Sequence, residues 1–457
     1  MASIMKELSE LDHAQHELQA RKALDEDVHY MTSLTQMADV KEVVAREEVF
    51  TAKGIKLLDR GVAIGSDLRE RLLKHVLLKP IDQSLVIKDG VTADLLAEEA
   101  AGLIASEPFL QNLQSGGEEI QRSQDALRQL RLPEQLGFKL TVMRTQLPWL
   151  FKHILMVVLV GHYLVQRLRL SPQQGTDAML SGLVHDIGEL HTDPSLLDRR
   201  HRVSETEFAH IDAHPITGYL IAREILPANP EVAAAVLQHH ERLDGSGYPY
   251  GLRGERVSLL ARVIAVADAC ASIIARYKSS ERLRALLQLN RRKFDPVLIA
   301  LLQRALVLSD GGTATTRVDF EQIQAAAQML LRWTEISAAR QGVAPAELGF
   351  LFERMSDVRI MLVQFGLDQN DPRAMQALVG DQVIARELSA VFDEVRWQIA
   401  DLQRETQRRR EAIAATMSTA DSTLLDTWLA AIRDFLQAVT GAEQAPSTER
   451  RRISEAG

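Results

Sequence analysis

Cysteine is almost missing from this chain. Cys270 is the one thiol in 457 residues, so no disulfide can close within the chain, and a reducing, cytoplasmic compartment is expected. Positive charge is in deficit: 53 Lys and Arg against 62 Asp and Glu leave a net charge of −9, which argues against a nucleic-acid polymer as partner. A small anionic substrate stays compatible, because the charge inside one cleft can differ from the total. The first residues, MASIMKELSELDHAQ, mix acids with histidines and lack the apolar stretch of a secretion signal. One run, Leu147–Leu168, approaches the length of a membrane span, but Lys152, His153, His162 and Gln166 fall inside it. Such side chains are costly in lipid, so a buried helix carrying a functional histidine is the better reading and no membrane span is expected.

Hydrophobic residues at 46% and charged residues at 25% describe a globular chain long enough for two or three domains. Residues 1–45 contain neither glycine nor proline and favour helix. The texture changes at Glu48–Ile64 (EVFTAKGIKLLDRGVAI), where β-prone runs broken at Lys53-Gly54 and Arg60-Gly61 predict a small strand-turn-strand unit. Ser66-Asp67 then offers a helix cap ahead of Leu68–Val76. Residues 92–131 read as two or three helices ended by Pro133, so residues 1–136 are expected to form a small α/β accessory module.

From 137 to 310 helix follows helix, joined by short loops near Ser171-Pro172, Pro227–Pro230 and Asp244–Gly254. After Gly311-Gly312 the amphipathic stretches Phe320–Arg340, Ala344–Phe365, Met375–Leu402 and Thr423–Val439 predict a C-terminal helical region over residues 311–457. The pair Arg404-Glu405 and the run Arg408–Glu411 read as a solvated helix face. The expectation is a mainly α fold, with a central helical bundle between the N-terminal module and the C-terminal helices. Those helices suit self-association or a protein partner.

Nine of the thirteen histidines lie between residues 153 and 240. His185-Asp186 within GLVHDIGELH and His239-His240 within LQHHERLDGSGYP stand out as pairs. Imidazole with carboxylate, without thiolate, suits borderline and hard divalent ions: Fe or Mn first, with Zn, Co or Ni compatible. An aspartate beside a histidine can bridge two ions while its neighbour binds one of them, the arrangement a phosphodiester hydrolase needs. His29 and His75 read as incidental, His162 as a core residue, and His201 and His210 as solvated.

The segment His239–Pro249 (HHERLDGSGYP), with the HD pair at residues 185–186, closely resembles the HD-GYP family, a helical branch of the HD phosphohydrolases. Known members degrade the bacterial second messenger cyclic di-GMP. The resemblance spans roughly residues 140–300, including KFDPVLIALL at Lys293–Leu302. It implies an HD-type helical bundle and a two-metal site. The family's ligand positions are filled by His153, His185, Asp186, His214 in HPITG, His239, His240 and Asp268. Asp186 is the implied bridging carboxylate. In the GYP loop Arg242, Asp244, Gly247, Tyr248 and Pro249 are implied at the substrate edge. The resemblance implies hydrolysis of cyclic di-GMP to pGpG, GMP or both.

Three departures from the family pattern stand out. Where the family carries a lysine in HDxGK, this chain has Glu189, which either forfeits the phosphate contact or takes a metal or acid role. Trp149 occupies the position where some members have a glutamate for a third ion, so two ions are expected. After Asp268 the stretch ASIIARYKSS replaces an RPYK-like element, with Arg276 and Lys278 as candidate phosphate contacts. The alternatives are a catalytically weak or inactive protein that senses a cyclic dinucleotide or acts as a scaffold, and a phosphohydrolase of another nucleotide.

Overall fold

The computed structural model of the chain describes residues 27–113, 117–197, 211–277 and 292–305, single positions around them, and helices within 349–364, 382–409 and 419–441. Lys278, His201, His210 and most of Phe320–Arg340 lie outside the described residues. The chain separates into two compact units, residues 1–310 and 311–457.

The first unit begins with α1 (Val28–Ala38), capped by Asp27, whose Oδ1 accepts from the amides of His29 and Tyr30 at 3.0 Å. Four short strands follow: β1 (Val43–Ala45), β2 (Val49–Phe50), β3 (Lys56–Leu58) and β4 (Leu85–Ile87). They form two antiparallel pairs, β1 with β4 in the register Val44↔Val86, and β2 with β3 around a bulge at Val49/Phe50. The strand-turn-strand unit is thus β2–β3, whereas β1 takes a partner from beyond the expected unit. The helix cap expected at Ser66 does not form. Gly65 precedes a 3-10 turn at Ser66–Leu68, and the helix after it, α2 (Arg69–Leu73), is short.

Then come α3 (Ala93–Ser106), α4 (Pro108–Leu113) and α5 (Gly117–Arg128). The bundle proper consists of α6 (Glu134–Gln146), α7 (Pro148–Arg167), α8 (Pro172–Val184), α9 (Pro194–Leu197), α10 (His214–Ile225), α11 (Pro230–Gln238), α12 (Leu259–Tyr277) and α13 (Pro296–Ala305). Ser171 and Gln174 close a capping box at the start of α8. The helix α7 is long and apolar enough to cross a membrane by length and composition, but most of its apolar stretch is buried inside the protein, packed on α6, α8 and α12. Small residues allow that packing. A Cβ on Gly182 of α8 would lie 3.0 Å from the backbone of Val158, so any larger residue would force the two helices apart by a few tenths of an ångström. One hydrophobic core runs from Tyr30 to Leu302, joining the strand-bearing segment to the bundle.

The second unit contains the helices α14 (Gly349–Gln364), α15 (Gln382–Arg408) and α16 (Thr419–Gly441), of which α15 and α16 are amphipathic. Arg354 lies between Glu405 and Asp401, bonded to each at 2.7 Å. Glu405 is therefore buried in an ion-pair network, not on the solvated face expected of it, because Arg354 supplies the compensating charge.

His162 is a core residue of α7, with Ser123 Oγ 3.2 Å from its Nδ1 and Gln166 Nε2 3.0 Å from its Nε2. Burial pushes its pKa from 6.5 down to about 4. The unfolded chain therefore takes the proton first. The stability that goes with the neutral ring is fully present above pH 6.5 and is lost as pH falls to about 4, a loss of roughly 3 kcal/mol. In urea titrations at pH 7 and pH 4, His162→Leu should lack that part of the acid destabilisation. An equal acid loss in both proteins would contradict it.

Candidate metal centre

Helix ends build this site. His185 and His239 stand at the C-caps of α8 and α11, where the last carbonyls have no partner within the helix. Each ring answers one of them: Nδ1 of His185 bonds Gly182 O at 2.9 Å, and Nδ1 of His239 bonds Val236 O at 2.6 Å. His214 opens α10 and bonds Ile211 O through Nδ1 at 2.7 Å. Donation of Nδ1–H to a carbonyl fixes the tautomer and leaves Nε2 as a lone pair facing inward. Three imidazoles are thus oriented, Nε2 inward, by the backbone three residues before them.

Asp186 lies at their meeting point. Its backbone, at φ −102° and ψ 16°, occupies the bridge region between His185 and the 3-10 turn Ile187–His191. Oδ2 is 3.1 Å from His185 Nε2 and 3.6 Å from His153 Nε2. Oδ1 is 3.4 Å from Nε2 of both His214 and His239. Across the cleft, His153 on α7 approaches Asp268 Oδ1 on α12 at 3.2 Å. The seven side chains sort into two groups, Asp186 with His214, His239 and His240, and His153 with His185 and Asp268.

Physical chemistry calls for a cation here. Nε2 of His214 and Nε2 of His239 lie 3.2 Å apart. With both Nδ1–H groups given to carbonyls, two lone pairs would face each other and a carboxylate oxygen. Only a proton or a metal ion between them relieves that repulsion. The protonation equilibria agree. Burial disfavours charge on His185, yet Asp186 and Asp268 outweigh it and push its pKa up to about 9. Burial also opposes ionisation of Asp186, but the neighbouring His185 and the bonds from His214 and His239 hold the carboxylate well below its usual range. The residues fit divalent ions in donor type, orientation and charge.

Glu189 sits within the same 3-10 turn, its Oε2 buried without a hydrogen-bond partner. Burial, and next the Asp186 charge, push its carboxyl up to about 8. A Cβ on Gly188 would fall 2.1 Å from His214 O, so the turn is seated directly on the start of α10.

The GYP loop closes one side. Tyr248 stacks on His240 with ring centroids 4.7 Å apart. Gly247 has no room for a side chain, since a Cβ would meet Arg242 N, Glu241 Cα and His240 O at 2.4 Å. Asp244 Oδ1 accepts from Ser246 N at 3.0 Å and shapes the turn, and Pro249 follows a cis peptide bond. Arg242 departs from its expected place at the substrate edge. Its guanidinium donates to His239 O and Glu241 O at 2.9 Å and lies over Phe294, so it braces the metal-binding backbone from behind. Sequence reasoning passed over Glu241, whose buried carboxylate accepts from Tyr250 N at 2.7 Å and Leu252 N at 2.8 Å and holds the loop. Arg276 lies on α12 beyond Asp268.

The HD domain family matches residues 141–298. Over 183 residues the chain is 30% identical to the cyclic di-GMP phosphodiesterase PA4108 of Pseudomonas aeruginosa, across 39% of this chain and 44% of that protein. Over 118 residues it is 37% identical to the 3'3'-cGAMP-specific phosphodiesterase 1 of Vibrio cholerae, across 26% of this chain and 27% of that protein. The chain thus spans less than half the length of these two curated relatives. A solved structure, Bd1817, a HDG"Y"P protein from Bdellovibrio bacteriovorus, aligns with a TM-score of 0.34 at 19% identity, over 57% of this chain and 95% of that chain. The stretch that matches the HD domain family holds both the HD pair at residues 185–186 and the GYP loop closing at Pro249.

Proposed function

We propose that this chain is a metal-dependent phosphodiesterase that opens a cyclic dinucleotide, with cyclic di-GMP as substrate and pGpG, GMP or both as product. The observation that carries this reading is the Asp186 carboxylate, whose Oδ2 faces His153 and His185 while Oδ1 faces His214 and His239. That arrangement supports two ions sharing one carboxylate, with Asp268 completing one set and His240 the other. Fe or Mn suits the donors best, with Zn, Co or Ni compatible. Two such cations would lower the pKa of water and offset charge on the phosphoryl oxygens.

The chain's own part is preorganisation. The carbonyls of Gly182, Ile211 and Val236 anchor the Nδ1 side of three imidazoles and aim Nε2 inward before any ligand arrives. Tyr248, steadied by its stack on His240, presents a ring and a hydroxyl at the loop for substrate contact, with Gly247 and Pro249 setting its position. Arg276 and Lys278 remain the candidate cations for the second phosphate. The relatives named for cyclic di-GMP and for 3'3'-cGAMP support the dinucleotide class.

Glu189 favours a second reading, of weak turnover or a different nucleotide. A carboxyl held largely protonated beside Asp186 supplies no positive charge to the phosphate where a lysine would.

Turnover of cyclic di-GMP and of 3'3'-cGAMP by anaerobically purified protein, with metal content measured on the same sample, tests both readings. We expect cleavage with about two ions per chain, as a binuclear site requires. Asp186→Ala should abolish cleavage and release metal. A metal-free protein with full turnover would sink the proposal. Glu189→Lys, which restores a cation at the phosphate, should raise turnover toward 10²-fold, on the order of what one well-placed charged donor contributes. An unchanged or lower rate would show that the carboxylate does not limit this enzyme.

A further inference from the structure

A second polar cluster lies beside the metal centre and outside the proposed chemistry. His191 ends the 3-10 turn that begins after Asp186 and carries Glu189. Its Nδ1 pairs with Oδ2 of Asp27, and both side chains are only 7% exposed. The other Asp27 oxygen caps α1. Tyr30, on α1, stacks on the His191 ring at 4.8 Å between centroids. Behind it, the Tyr30 hydroxyl donates to Asp82 at 3.3 Å, and Lys139 bonds Asp82 at 2.8 Å while lying 3.9 Å over the Tyr30 ring. A chain of buried contacts thus joins the N-terminal segment to the turn bearing the bridging carboxylate.

Buried polar pairs add little net stability, because desolvation offsets their attraction, but they restrict geometry tightly. The turn has little freedom on its other side as well. Gly188 rests against His214 O so closely that not even a methyl group would fit. The turn is therefore held between α1 and the start of α10, with Asp186 at one end and His191 at the other. A shift at His191 passes through this rigid turn to Asp186 and His214, which face each other at 3.4 Å.

We propose that Asp27 and His191 are positioning residues for the metal centre: their buried pair lets the N-terminal segment set the place of Asp186. The segment before the HD domain then belongs to the ion-binding machinery, and displacement of α1 lowers metal affinity without touching a ligand. Ion binding reads this directly, whichever nucleotide is cleaved.

The test uses the full chain, stripped of metal, with Mn2+ as probe and free Mn2+ followed by electron paramagnetic resonance. Thermal midpoints in EDTA are recorded beside it. Asp27→Asn and His191→Gln should each weaken Mn2+ binding roughly tenfold, the low end for loss of an outer-shell support. The double variant should be no worse than either single one, because the two act as a unit. Asp27→Glu keeps the charge but moves it, serves if the neutral variants fold poorly, and should also weaken binding. Wild-type Mn2+ affinity in a folded Asp27→Asn or Asp27→Glu protein, with only the EDTA midpoint lowered, would overturn the proposal. So would a wild-type chain that takes up no Mn2+.

Discussion

Everything around the centre depends on one carboxylate that faces two sets of imidazoles. Asp186 places Oδ2 toward His153 and His185 and Oδ1 toward His214 and His239. Three of those rings are aimed by backbone carbonyls, two of them at helix C-caps. The fold supplies orientation from groups every helix must leave unsatisfied at its end. The ligands are thereby ordered without extra side chains, and α7 and α12 contribute His153 and Asp268 from the two long helices that pack through the core.

The loop after His240 works on the same plan. Glu241 gathers the amides of Tyr250 and Leu252, while Arg242 returns its guanidinium to the carbonyls of His239 and Glu241. Two adjacent charges thus hold the GYP loop from within. Tyr248 stacks on His240, which belongs to one of the two candidate metal-binding groups. On the far side, α1 meets the turn after Asp186 through Asp27 and His191, so the centre is supported from both flanks.

The sequence made the seven donors legible because their residue types are rare, concentrated and set in a recognisable pattern. It also disclosed the buried character of Leu147–Leu168, since polar groups interrupt that run. What it hid depends on long-range geometry. Nothing local marks Arg242 as a brace: a cation in a polar loop reads the same whether it faces phosphate or backbone. The partnership of Asp27 with His191 joins distant parts of the chain and leaves no spacing signal. Three-residue strands such as β1 and β4 are too short for a period, and their pairing is non-local. Glu405 looked solvated because its neighbours are charged, and only the position of Arg354 makes its burial tolerable.

The most direct test of the shared carboxylate is anomalous diffraction from crystals of the Mn2+-loaded chain. Two peaks about 3.5–4 Å apart, with one Asp186 oxygen on each, are the expected result. A single peak, or two with Asp186 bound to only one, would contradict a bridging role and with it the arrangement of the site.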